Sequence, residues 1–229
     1  MTTTLVTGGT RGLGLETARR LVLAGHRVYL GARDLACGLE VASAIGVHAL
    51  ELDVTDEVSV ATAARRLSDD AGGLDVLVNN AGVSGEQRPV ADASVADLRR
   101  VLETNVIGAA TVLATFTPVL DASAAPVVVN VSSAVGSLTL NARPGAPWST
   151  VAYPVSKAAL NMLTIQYARA FPRWRVNSAT PGLTATDFAP SAARGHSVAE
   201  GAEILVQMAS IGPDGPTGTF VDINGTVPW

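Results

Sequence analysis

The chain contains one cysteine, Cys37, which excludes an intrachain disulfide framework. Its three histidines, His26, His48 and His196, are scattered. No Cys/His cluster has zinc spacing, so no metal site is expected. Basic residues are not in surplus: 16 Lys and Arg against 20 Asp and Glu give a net charge of −4, without the footprint of a nucleic-acid binder. No apolar run approaches the ~18–20 residues of a membrane span. The first residues enter a strand pattern directly, without the charged-then-apolar signature of a secretory leader. The expectation is a cytoplasmic protein that engages neither nucleic acid nor membrane. What the chain does have is apolar content, 48% of 229 residues, enough for a sizeable core. No repeat, linker or low-complexity stretch divides it, so one domain over 1–229 is expected.

Strand and helix patterns alternate along the chain. Short β-rich runs fall at Thr3–Thr7, Arg27–Leu30, Val47–Leu52, Leu74–Val78, Pro126–Val131, Arg175–Ala179 and Gly218–Ile223. Helical patterns lie between them, one stopping before Gly25 and one opening at Asp34 as N-cap. Ser94–Leu120 reads as two helical pieces meeting near Asn105. This alternation predicts an α/β, doubly wound, mostly parallel sheet of seven strands with helices on both faces. Two segments break the rhythm, Ser137–Thr150 and Thr184–Gly195. Long loops at the carboxyl ends of parallel strands usually shape a site.

Chemistry concentrates in two stretches. Gly8-x-x-x-Gly12-x-Gly14 follows the first strand and opens a helix, the context of a phosphate-binding turn. Tyr153 and Lys157 are four residues apart in a helical pattern, so they share one face. Pro154 fits only in a first turn, which places Tyr153 at the helix start, near the positive end of its dipole. A phenol beside an ammonium there is expected to have a lowered pKa and to exchange a proton as a general acid or base.

With these motifs in register the chain resembles the short-chain dehydrogenase/reductases over essentially its whole length, and its carbonyl-reductase branch in particular. Thr7-Gly8-x-x-x-Gly12-x-Gly14 resembles their cofactor turn. Asp53-Val54 resembles their adenine-reaching pair, and Asn79-Asn80-Ala81-Gly82 the motif that steadies the sheet and lines the cofactor. Pro181-Gly182 with Thr186 resembles the segment that grips the nicotinamide carboxamide. The resemblance implies a Rossmann fold and a catalytic tetrad of Asn105, Ser133, Tyr153 and Lys157. It extends the cofactor contacts to Thr10, Arg11, Leu13, Arg33 and Thr184. In it Tyr153 protonates a carbonyl oxygen, Ser133 hydrogen-bonds that oxygen, Lys157 lowers the tyrosine's pKa and holds the ribose, and Asn105 holds a water. Ser132 and Ser133 are adjacent, so only one faces the site, and the family pattern favours Ser133.

Arg33, after Ala32 at the end of the second strand, and Arg11 in the glycine turn could clamp a 2′-phosphate, which favours NADP(H). The competing reading makes Asp34 an acid that selects NAD. Val83, Ser84, Val135, Trp148 and Phe188 are the expected substrate wall. They carry no fixed cation, so a neutral ketone, aldehyde or quinone is expected. The gap from Ser133 to Tyr153 is longer than the common family pattern, as in the carbonyl reductases. The resemblance implies assembly as a dimer or tetramer through the helices of Asn105 and Tyr153 and leaves a monomer open. A reductase dedicated to one pathway ketone and a non-catalytic NADP(H)-sensing protein are the alternatives.

Overall fold

The computed structural model describes residues 1–146, 150–188 and 195–229. Its centre is a parallel sheet whose central strands, Thr3–Thr7, Val76–Asn79 and Val127–Val131, are buried along their whole length, covered from two sides. In chain order the elements are β1 (Thr3–Thr7), α1 (Gly12–Leu23), β2 (Arg27–Ala32), α2 (Leu35–Ile45), β3 (His48–Glu51), α3 (Glu57–Ala71) and β4 (Val76–Asn79). Then come α4 (Val95–Leu102), α5 (Ala109–Asp121), β5 (Val127–Val131), the short α6 (Leu138–Asn141), α7 (Ala152–Ala170), β6 (Arg175–Ala179), α8 (Val198–Ala209), β7 (Phe220–Asp222) and β8 (Gly225–Thr226). The sheet order is β3-β2-β1-β4-β5-β6-β7-β8. All pairs are parallel except the terminal hairpin of β7 and β8.

The eighth strand corrects the expectation of seven. It has only two residues, too few for a period-2 pattern, although Asn224-Gly225 is a hairpin signal and Gly225 takes a φ of +127°. Ser137–Thr150 is likewise not wholly loop, because Ser137 caps the single turn of α6 by accepting from the Leu140 amide at 3.0 Å.

Each face of the sheet has its own core. Val6, Leu30, Val78 and Val129 pack under α1 and α8 through Leu21, Leu205 and Met208. Leu5, Leu77 and Val128 pack on the other face with Leu67 of α3 and Val112 and Phe116 of α5. Between α4 and α5 the backbone forms a π-helical turn over Glu103–Gly108, the expected break at Asn105. Gly108 lets this turn approach β3's exit closely, since a Cβ there would lie 2.8 Å from Val54 Cγ2. The strand order reverses between β1 and β4, which opens a crevice at the carboxyl edge of the sheet. No helix among the described residues is long and apolar enough to cross a membrane.

Candidate active site

A cleft of 440 Å³ runs along that edge. At one end lies the turn from β1 into α1. Gly8 and Gly12 have φ of +62° and +55°, which side chains disfavour. At Gly14 a Cβ would lie 2.4 Å from Asn80 Nδ2 and 2.7 Å from the Gly8 carbonyl. Asn80 occupies that space because its Nδ2 donates to the carbonyls of Thr7 and Gly8, each at 2.9 Å. Thr7 Oγ1 accepts in return from the amides of Asn80 and Ala81, each at 3.0 Å. The result is a cradle of backbone that only glycine permits.

Helices α2, α3, α4 and α8 open with side-chain caps. The N-termini of α1 and α7, which border the cleft through Gly12–Gly14 and Tyr153, have none. No acidic residue stands in the first turn of α1. Its first amides are left to a ligand, and the helix dipole favours an anion there. Arg11 and Arg33 are exposed on the cleft wall, and neither has an ion pair or side-chain hydrogen bond among the described residues. Asp34, the rival selector, does not border the cleft; its carboxylate accepts from the Cys37 amide at 3.1 Å as the cap of α2. Asp53 does border it, with one oxygen held by the amide and hydroxyl of Thr55 at 2.9 and 2.7 Å. These donors and this cradle fit a dinucleotide pyrophosphate.

At the other end, α7 presents Tyr153 and Lys157. Lys157 is 4% exposed, and its Nζ donates to the Val131 carbonyl at 2.7 Å. Burial pushes its pKa down to about 8. Tyr153 corrects the sequence expectation. Burial raises its pKa well above the ordinary value, against a smaller lowering influence from the Ser133 hydroxyl. The expected ammonium effect does not offset this, because Lys157 is turned to Val131, with Nζ 5.4 Å from the tyrosine ring centre. Phe188 meets the Tyr153 ring edge-on at 5.5 Å.

The two serines are separated by their partners. Ser132 Oγ donates to Asn161 Oδ1 at 2.7 Å, while Ser133 is the serine that influences Tyr153. Asn105 is 1% exposed, and both of its amide protons are used. Its Oδ1 accepts from the Val83 amide at 2.8 Å, and its Nδ2 donates to the Val83 carbonyl at 2.9 Å and to Ser156 Oγ at 3.0 Å. That amide has no proton left for a water.

The cleft gathers most of the residues expected from sequence: Gly8, Thr10, Arg11, Gly12, Leu13, Gly14, Arg33, Asp53, Val54, Asn80, Ala81, Gly82, Val83, Tyr153, Lys157, Pro181, Thr186 and Phe188. Asn105, Ser133, Ser84, Val135, Gly182 and Thr184 do not border it. Thr184 turns its hydroxyl to the carbonyls of Pro181 and Gly182, and Gly182 packs against His196. Ser84 turns its hydroxyl to the Gly85 carbonyl. Trp148 lies outside the described residues. Sequence reasoning missed Leu52, Thr55, Thr104, Val131, Ser132, Ala185, Asp187 and Val198 as lining residues, half of them apolar neighbours of motif positions without a signal of their own; Ser132 borders the cleft although its hydroxyl is turned to Asn161. It also missed a compositional signal: Lys157 is the sole lysine, every other basic residue of the 16 being arginine.

Residues 2–196 match the family model described as short chain dehydrogenase. A short-chain dehydrogenase/reductase, ATR10, of Stachybotrys chlorohalonatus is 34% identical, the match covering 96% of this chain and 88% of that protein. The (+)-neomenthol dehydrogenase of Capsicum annuum is 29% identical over 94% of each. The structure of salutaridine reductase from Papaver somniferum is similar with a TM-score of 0.84 and 27% identity, over 96% of this chain and 99% of that one.

Proposed function

The chain belongs to the short chain dehydrogenase family, and on that premise we propose that it reduces a neutral ketone, aldehyde or quinone to the alcohol with NADPH, or runs the reverse, with Tyr153 as general acid. One observation carries the reading. A single cleft has an uncapped, glycine-lined helix N-terminus with two exposed arginines at one end and the Tyr153–Lys157 face of α7 at the other. When bound there, the dinucleotide supplies the hydride.

The chain's own groups do the rest. The α1 amides and the cradle of Gly8, Gly12 and Gly14 hold the pyrophosphate. Arg11 and Arg33 reach a 2′-phosphate with charge-assisted bonds, which supports NADP(H) over NAD(H). Tyr153 stays protonated at neutral pH because burial raises its pKa, so it holds the proton that a carbonyl oxygen needs. Ser133 donates to the same oxygen as charge develops. Lys157 stays an ammonium below its pKa of about 8 and binds the ribose side of the site. Asn105 acts by fixing the Val83 backbone and Ser156 rather than through a free amide. Phe188 and Val83 give the carbonyl an apolar wall.

The test follows NADPH oxidation with a panel of aldehydes, ketones and quinones for wild type and Tyr153→Phe. Turnover is expected to fall about 10²–10⁴-fold in the variant, with NADPH still raising its Tm. Turnover that survives the substitution overturns the assignment of Tyr153.

A further inference from the structure

Asn161 lies one turn beyond Lys157 on α7 and is 4% exposed. Nothing in the reading above gives it a task. Its amide is spent on both sides of Ser133. Oδ1 accepts from Ser132 Oγ at 2.7 Å, and Nδ2 donates to the Gly136 carbonyl at 3.4 Å. A carbonyl only accepts, so Nδ2 must face Gly136 and Oδ1 must face Ser132. One side chain thus brackets the segment that carries Ser133.

Two further contacts sharpen this. Lys157 Nζ holds the Val131 carbonyl, so consecutive residues at the end of β5 are tied to consecutive turns of α7. Gly136 lies directly on α7, since a Cβ there would lie 2.7 Å from Lys157 Cβ. Between these anchors Ser133 is extended, with φ −155° and ψ 148°, and its carbonyl accepts from the Gly136 amide at 2.8 Å. The Ser133 backbone is therefore set from before, from after and from within.

We propose that Asn161 is a positioning residue that aims the Ser133 hydroxyl at the carbonyl oxygen served by Tyr153, by clamping Ser132 and Gly136 to α7. It also occupies the Ser132 hydroxyl, which keeps that serine from competing for the same oxygen. The inference rests on the proposed role of Ser133. A misplacement of about 1 Å at a reacting centre can cost about 10²-fold, and a lost donor to a developing oxyanion about 10²–10³-fold, so the clamp has a measurable effect.

The experiment is a double-mutant cycle on kcat with NADPH and 9,10-phenanthrenequinone, beside amide hydrogen exchange of the protein without ligand. Asn161→Ala is expected to lower kcat about 10–100-fold, with the KM for NADPH changed less than about twofold. Ser133→Ala is expected to lose at least as much. The double variant should match Ser133→Ala alone, because Asn161 acts through that hydroxyl. Ser132→Ala, the milder probe should Asn161→Ala fold poorly, should lose a smaller part of kcat in the same non-additive way. Exchange should rise in 133–137 and not along α7. Multiplicative losses, or exchange rising throughout α7, would mean that Asn161 only stabilises the helix and would overturn the inference. An unchanged kcat in Ser133→Ala would instead remove the role of Ser133, and the inference would fall with it. If the quinone is not turned over, exchange decides: no local rise in 133–137 rejects the clamp.

Discussion

The two ends of the cleft are made of different materials. The nucleotide end is mostly backbone: amides of an uncapped helix, glycines at positive φ, and two arginines that reach in from solvent. The carbonyl end is mostly buried or half-buried side chain, supplied by β5, the π-helical turn and α7 and locked by Asn105, Ser156 and Asn161. The first needs permissive local conformation and free donors, which a few neighbouring residues supply. The second needs charged or titratable groups held where water is scarce, and that takes several elements at once. Substitutions at the two ends should therefore fail differently, one in binding and the other in turnover.

The sharpest way to test that division is Lys157→Met. Turnover is expected to fall about 10²–10⁴-fold. Stability should move the other way. Burial sets the folded pKa of Lys157 at about 8, below the ordinary 10.5, so the unfolded chain holds more protons between those values. Stability therefore rises with pH across that window, and below it the buried charge costs up to about 3 kcal/mol. The variant should melt higher than wild type at pH 7, with the gain fading by about pH 10.5. Because Lys157 is the sole lysine, a lysine-labelled sample yields one side-chain resonance whose titration checks the pKa directly. A titration near 10.5 would remove the account of this end.

At the other end, replacing Arg11 and Arg33 together by alanine should weaken NADPH binding about 100-fold, from two charge-assisted contacts of about 1.5–3 kcal/mol each that are partly screened at an exposed site. NADH binding should change little, and kcat at saturation should hold. Calorimetric titration of both dinucleotides checks this; equal losses for the two would break the 2′-phosphate assignment. The smallest effect is expected at Phe188, which is 38% exposed. Phe188→Ala should raise the carbonyl KM severalfold and leave NADPH affinity unchanged, as steady-state kinetics with both substrates varied would read. A loss in NADPH affinity instead would move Phe188 to the nucleotide end.

The contrast also explains what could be read along the chain. Gly8, Gly12 and Gly14 act through their own φ and missing Cβ atoms, so spacing after a strand is enough to recognise them. Asp34 as a helix cap is local in the same way, three residues from the amide it holds. Tyr153 and Lys157 share a face because helical spacing requires it. Alternating strand and helix patterns determined the doubly wound sheet, and with it the crevice where strand order reverses.

Tertiary structure decided the rest. Ser132 and Ser133 are chemically identical, and only the position of Asn161 spends one and frees the other. Asn105 carries the same amide in any fold, but packing fills it with Val83 and Ser156. The pKa of Tyr153 has opposing causes. The Ser133 hydroxyl lowers it, and burial, which sequence does not locate, raises it more. Local conformation depends on neighbours in the chain, while solvation and hydrogen-bond competition depend on neighbours in space.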